Sequence, residues 1–302
     1  MTFDPNKPGL YPGLLYESYV GAARTNISNL KEMARSPLHY RYRCAHQKES
    51  PTLSMGRSAH VAVLEAERFE RDYVVWDEVT DAGKMSPRRG KKFEAFCALH
   101  PGKTVVAPNE HRFACNVRDA LRHKPIARKY LGEGPRELSI LWEDVETKMA
   151  CKGRLDLVTH VEGVDCLVGL KSARSLDPRA FSNQAASLHY YLQWSFYYDG
   201  YSTLTGKEPR VVEICIEAEP PFDVVVYVVP GDVLELGREE YRALLSKLRE
   251  CEQTKCWPGR ADNEVLFALP AYMRQDDEED LGELELEGDA RARAVDALNE
   301  DL

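Results

Sequence analysis

The sequence predicts an α/β (α+β) fold in which a central mixed β-sheet, built on an antiparallel meander, is flanked by helices. Three observations predict it. From Arg136 the pattern shifts to short apolar runs, ELSILWED, MACKGRLDLVTH and VDCLVGLKS, which read as three consecutive strands. Between the second and third sits Glu162-Gly163, a two-residue turn of the kind that closes a hairpin. Before and after the meander, apolar residues recur at helical spacing, as in Ile27, Leu30, Met33 and Ala34.

At 302 residues, 43% hydrophobic and 29% charged, the chain can bury a sizeable core and has the balance of a soluble globular protein. No apolar run approaches the roughly 20 residues that span a bilayer, which excludes a membrane partner. The start, MTFDPNKPGLYPG, has no basic segment leading into an apolar one, so no signal peptide is expected and the location is cytoplasmic. The eight cysteines are scattered, and Cys251 and Cys256 alone cannot complete a zinc or iron–sulfur site, so all read as reduced structural thiols. Net charge is −9, but from 276 onward twelve acids face only Arg291 and Arg293, leaving the rest near neutrality. Residues 1–275 are thus expected as a single domain and 276–302 as an acidic, disordered tail. Within that tail, 289–301 has the pattern of a short docking helix. The tail is either a solubilising or docking extension or a mimic of DNA.

Taken in order, 1–25 read as an irregular arm rich in Pro, Gly and Tyr. Ser28 and Ser36 are candidate caps for two short helices. Ser54 can cap a helix running to about Arg68, on which His60 stands one turn after Gly56. Residues 77–92 form a polar loop with Lys84, Arg88, Arg89, Lys91 and Lys92, either merely solvated or closing over phosphates. Helices are expected at about 91–99, 108–122 and 124–131. After the meander come one long aromatic helix over about 178–205, strands at about 210–217 and 222–229, and a helix over about 230–252. Trp257-Pro-Gly closes the fold.

Pairing about the Glu162-Gly163 turn sets position 156 opposite 169, and strand alternation brings Lys171 to the same face. Two acids and a lysine so placed would suit hydrolysis of a phosphodiester assisted by a hard cation. Position 169 is, however, glycine, and the blander reading is a surface hairpin with a solvated Asp and Lys. Asp165, four residues upstream, is too far along the strand to take the place of an acid at 169. Glu137 falls on the strand beside Asp156. Gln193 and Tyr197, one helical turn apart, are candidates to face this surface. Ser172 and the basic residues Arg88, Arg89, Lys91 and Lys92 are candidate DNA contacts.

Four stretches, GRSAH (56–60), GRLD (153–156), GLK (169–171) and QWSFY (193–197), match in order the GxxxH, GxxD, (D/E)xK and QxxxY motifs. In these the chain resembles the RecB-like branch of the PD-(D/E)xK nucleases. NLKEMARSPLHY, AHVAVLEAERF and CWPG are similar to phage and prophage exonucleases of the RecE (exonuclease VIII) type, and the resemblance spans about 15–260. It implies a restriction-endonuclease-like core, with His60, Asp156 and the Leu170 backbone carbonyl as ligands of Mg²⁺ or Mn²⁺. Lys171 would be the catalytic lysine, Gln193 and Tyr197 would support the site or touch the DNA, and Glu137 would be an accessory acid.

The implied activity is digestion of one strand from a double-stranded DNA end. The single-stranded tail would pass to an annealing protein of the RecT type, and the enzyme would form a ring-shaped homo-oligomer. Gly169 departs from the pattern where an acid is expected. A weakened enzyme, a naturally silent relative and a chain altered at that one position all fit, and Gly169→Asp is expected to restore activity. The competing class is a nuclease-fold module that binds DNA ends or a partner without chemistry.

Overall fold

The computed structural model describes residues 3–46, 51–80, 83 and 85–268, with only the backbone described for 51–53. The expected acidic tail and its short helix lie outside the described residues, as does Lys84. In place of an irregular arm, the chain begins with an edge strand, Gly9–Tyr11 (β1), and a short helix, Tyr16–Gly21 (α1). Two cations fasten this segment. Buried Lys152 donates from Nζ to the carbonyls of Tyr19, Val20 and Ala22 at 2.7–2.9 Å, at the end of α1. Arg24 reaches the Trp142 carbonyl at 2.9 Å. Sequence periodicity carries no sign of such long-range pins.

Ile27–Leu30 (α2) is capped by Asn26 rather than Ser28, its side chain accepting the Asn29 N–H at 2.9 Å, and it runs on as a 3₁₀ turn to Ala34. Ser36 caps Pro37–Ala45 (α3) as expected. The next helix is split by Glu65 into Pro51–Leu64 (α4) and Ala66–Asp72 (α5), and it starts upstream of Ser54. A small parallel pair that the sequence did not announce follows, Tyr73–Val75 (β2) with Thr104–Val106 (β3), enclosing Lys91–Leu99 (α6). Pro108–His123 (α7) and Pro125–Tyr130 (α8) fall where predicted.

The meander is present as Arg136–Glu143 (β4), Ala150–Val161 (β5) and Val164–Ala173 (β6). Glu162 and Gly163 both have positive φ, +53° and +83°, the backbone that a two-residue hairpin turn demands. The predicted long helix is two, Pro178–Ser187 (α9) and Tyr190–Thr205 (α10), broken at left-handed His189. The break lets each half serve a different part of the sheet. Phe181 of α9 stacks on Tyr227 at 4.6 Å, while Phe196 of α10 meets Trp142 edge-on at 4.6 Å. Arg210–Glu217 (β7), Val224–Val228 (β8) and Gly231–Thr254 (α11) complete the chain.

The six strands lie in the order β1-β4-β5-β6-β7-β8, and only β6 and β7 run parallel, so the sheet is mixed as the sequence predicts. One face packs Ile140, Trp142 and Leu155 under α10 and α11 against Phe196, Tyr241 and Leu245. The other packs Leu157, Val168, Leu170 and Ile214 against Phe113 and Val117 of α7. Each such large apolar side chain contributes about 1.5–3 kcal/mol on burial, so this pair of cores dominates the stability. Tyr40 stacks on Trp257 at 6.0 Å, which ties the final segment back to α3.

β5 carries one irregularity. Leu155 belongs to the core under α10, and Leu157, two residues on, to the core under α7. Residues two apart on a regular strand share a face, so the alternation reverses around Asp156. Glu137, between the paired positions Arg136↔Leu157 and Leu138↔Leu155, matches it with a φ of +50°, unusual for a side chain of this kind.

Candidate metal centre

The β5/β6 ladder runs from Val161↔Val164 to Leu157↔Val168, and beyond it the strands part. The Leu170 N–H, which would otherwise bond to the backbone of β5, donates instead to the Asp156 carboxylate at 3.0 Å. β6 meanwhile continues along β7, with Gly169 beside Glu213 and Lys171 beside Cys215. This fork gathers the chemistry.

His60 projects from α4 toward the fork. Its Nε2 lies 3.0 Å from the Leu170 carbonyl oxygen, and its Nδ1 lies 3.8 Å from Asp156 Oδ2. His60, Glu137 and Asp156 each offer a donor atom, and these atoms all lie within 4.8 Å of one another. An imidazole, two carboxylates and an adjacent carbonyl oxygen form a donor set suited to a small divalent cation. Charge favours the same occupant. Burial and the Asp156 carboxylate push the Glu137 carboxyl above its ordinary range, although Arg154 donates to it at 2.7 Å.

The remaining predicted residues line one small cavity on the α10 side, where Asp156, Gly169, Lys171, Gln193 and Tyr197 meet. Burial alone would lower the Lys171 ammonium, but the Glu213 and Asp156 carboxylates outweigh it and hold the group protonated. The Tyr190 ring lies 5.4 Å from its Nζ. Tyr197 is pushed up to about 12, mainly by burial and then by Asp156, so it stays a phenol. Gly153 of the GRLD stretch makes room for it, since a Cβ there would come 2.9 Å from the Tyr197 ring. A Cβ on Gly56 would meet no atom within 4 Å, so packing does not require that glycine. Ser172 is exposed and borders a second small cavity with Gly56 and His60.

The basic loop divides. Arg88 is held in a bidentate pair with Glu110, at 2.8 and 3.0 Å, and the Glu110 side chain is only 4% exposed. Glu110 in turn accepts the Ala107 N–H at the start of α7. Arg88 therefore anchors a buried acid. Arg89, Lys91 and Lys92 are exposed around the first turn of α6. Asp165 is committed elsewhere, to His160, Tyr201 and Lys207, as its distance from position 169 required.

The sequence reading missed Glu213. Its carboxylate lies over Gly169, so that a Cβ on the glycine would stand 2.5 Å from Oε1 and 2.8 Å from Oε2. Trp194 donates its indole N–H to Oε2 at 2.5 Å, and Lys171 Nζ is 3.8 Å from Oε1. Oε1 is buried without a hydrogen-bond partner. Burial raises this carboxyl, with Lys171 opposing. A signal was available: one acid inside the apolar run VVEICI, where a charge needs a reason. The expectation that an aspartate at 169 alone would complete the site does not fit, because Glu213 already fills that space.

No curated protein matches the chain in sequence. Among solved structures, it is similar to a protein from Eubacterium rectale named "Putative exonuclease", at 15% identity and a TM-score of 0.58, over 86% of this chain and 97% of that one. A protein named SSO0001 aligns at 18% identity over 42% of this chain and 53% of the other, with a TM-score of 0.26 that bears on nothing further. The first likeness supports the fold. A family description covers residues 26–267, all four motif stretches included, and so the chain belongs to the PDDEXK-like domain of unknown function DUF3799, within the PD-(D/E)xK nuclease superfamily.

Proposed function

We propose that the chain is an exodeoxyribonuclease dependent on Mg²⁺ or Mn²⁺, which degrades one strand from double-stranded DNA ends in the manner of the RecE exonucleases. The observation that carries the reading is the convergence of His60, Glu137 and Asp156 within 4.8 Å, with Lys171 beside them. The name of the Eubacterium rectale relative agrees with it.

A cation bound there would supply Lewis-acid charge at a scissile phosphate. His60, Asp156, Glu137 and the Leu170 carbonyl would hold it. Lys171, kept protonated, offers N–H donors to an attacking water or to a phosphate oxygen. Gln193 and Tyr197 wall the cavity and position what enters it. Ser172, Arg89, Lys91 and Lys92 would bind the DNA backbone, the two lysines adding charge to the already positive first turn of α6. Single-stranded tails for recombination, a RecT-type annealing partner and a ring-shaped homo-oligomer extend the reading. Eight unpaired thiols suit work in a reducing cytoplasm.

Gly169 favours a second reading, a DNA-end-binding or partner-binding module without chemistry. End-labelled linear duplex decides between them. The first reading expects nucleotide release with Mg²⁺ or Mn²⁺, abolished by EDTA and by Lys171→Ala. Intact duplex, together with salt-sensitive end binding that EDTA leaves unchanged, would replace it with the second.

A further inference from the structure

We propose that Glu213, reaching across from β7, supplies the carboxylate that position 169 lacks. The inference rests on the nuclease reading and says which residue completes that site. Gly169 and Glu213 are direct neighbours in the parallel β6/β7 ladder. The Glu213 oxygens lie 2.5 and 2.8 Å from where a Cβ on residue 169 would be, about the separation between Cβ and carboxylate oxygens within an aspartate itself. Glutamate, one methylene longer, thus spans from the next strand what an aspartate would reach from β6.

The exchange also explains the glycine. Any side chain at 169 would overlap the Glu213 carboxylate, so the two sites can hold one acid between them. Three further observations show that this acid is aimed at something. The residue is 1% exposed, in a position where an ionisable group is costly unless paired. Trp194 fixes Oε2, which sets the orientation of the carboxylate and leaves Oε1 without a hydrogen bond. That oxygen is 3.8 Å from the Lys171 ammonium, and Glu213 lines one cavity with Asp156 and Lys171. Glu213 is not one of the three donors within 4.8 Å of one another, His60, Glu137 and Asp156, but it shares that cavity with Asp156. Its carboxylate would therefore meet the cation or the attacking water between the donor cluster and the lysine.

The test is Mn²⁺ binding to the full chain by calorimetry, run beside DNA degradation and thermal melting. Glu213→Gln keeps the shape and the Trp194 bond and removes the charge, and it is expected to weaken Mn²⁺ binding by about 10- to 100-fold. Gly169→Asp combined with Glu213→Ala moves the acid to β6 and is expected to recover Mn²⁺ binding relative to Glu213→Ala alone. If Glu213 merely balances the charge of Lys171, Glu213→Gln will alter the melting temperature and leave Mn²⁺ affinity unchanged, which overturns the inference while the nuclease reading stands. An unchanged protein that binds no Mn²⁺ would remove the cation site and the inference with it.

Discussion

The Asp156 carboxylate receives the Leu170 N–H at 3.0 Å, across the fork where β5 and β6 stop pairing. The same oxygen, Oδ2, lies 3.8 Å from His60 Nδ1, so this carboxylate both closes the sheet and faces the candidate donors. Asp156→Asn can still present its amide oxygen to Leu170, so unfolding in urea should shift by no more than about 1.5 kcal/mol. Nuclease rate should fall by about 100-fold or more, because the negative charge is gone. A large loss of stability with full activity would reverse these roles.

Gly169→Asp on its own should not improve the enzyme. The new Cβ meets Glu213 Oε1 at 2.5 Å, and a second carboxylate would enter a space already holding one. Overpacking of this kind costs about 1–3 kcal/mol. Denaturation midpoint and DNA degradation, measured together, are expected to fall together.

The basic loop should behave as two groups. Arg88→Ala leaves buried Glu110 without its bidentate partner and should cost about 1–3 kcal/mol of stability. Arg88→Lys should recover only part of that, since an ammonium cannot reproduce the paired bonds. Replacing Arg89, Lys91 and Lys92 together by alanine should leave stability alone. It should make duplex-end binding less salt-dependent, lowering the slope of log K against log salt by about 2 to 3.

Asp165 provides a pH signature remote from the metal centre. The Lys207 bond first, then His160, holds its carboxyl down to about 2. A depressed carboxyl contributes stability above its unfolded value of about 3.9, and that contribution is lost as pH falls through about 2. Asp165→Asn should therefore destabilise at neutral pH, and the gap to the unchanged protein should close between about pH 4 and 2. Lys207 and His160 are largely exposed, so the effect should be near 1 kcal/mol. Chemical denaturation across that range checks it.

What could be read from the chain followed from local rules. Alternation and the Glu162-Gly163 turn located the hairpin and its register as far as Leu157↔Val168, because turn and period set strand pairing. The expected pairing of 156 with 169 lies just beyond the ladder, where the strands part. The helices of 91–131 kept their predicted places for similar reasons. Glu213 escaped because its role depends on a parallel pairing between strands more than 35 positions apart, which no local pattern encodes. Arg88 was misread because its partner Glu110 lies 22 residues away on α7 and is buried only by the fold. The reversal of facing at Asp156 came from the neighbouring strand's left-handed Glu137, a backbone state that sequence does not advertise.

The first strand is three residues long, yet it shields Ser139, Ile140 and Leu141 on the outer margin of the sheet. Its short ladder is supported by Arg24, which donates to the carbonyls of Pro5 and Asn6 just before it. Trimming the first dozen residues would bare a row of amide and carbonyl groups on an apolar rim, a template that another chain would complete. Shortened versions would then tend to associate rim to rim, with the fork still intact inside each.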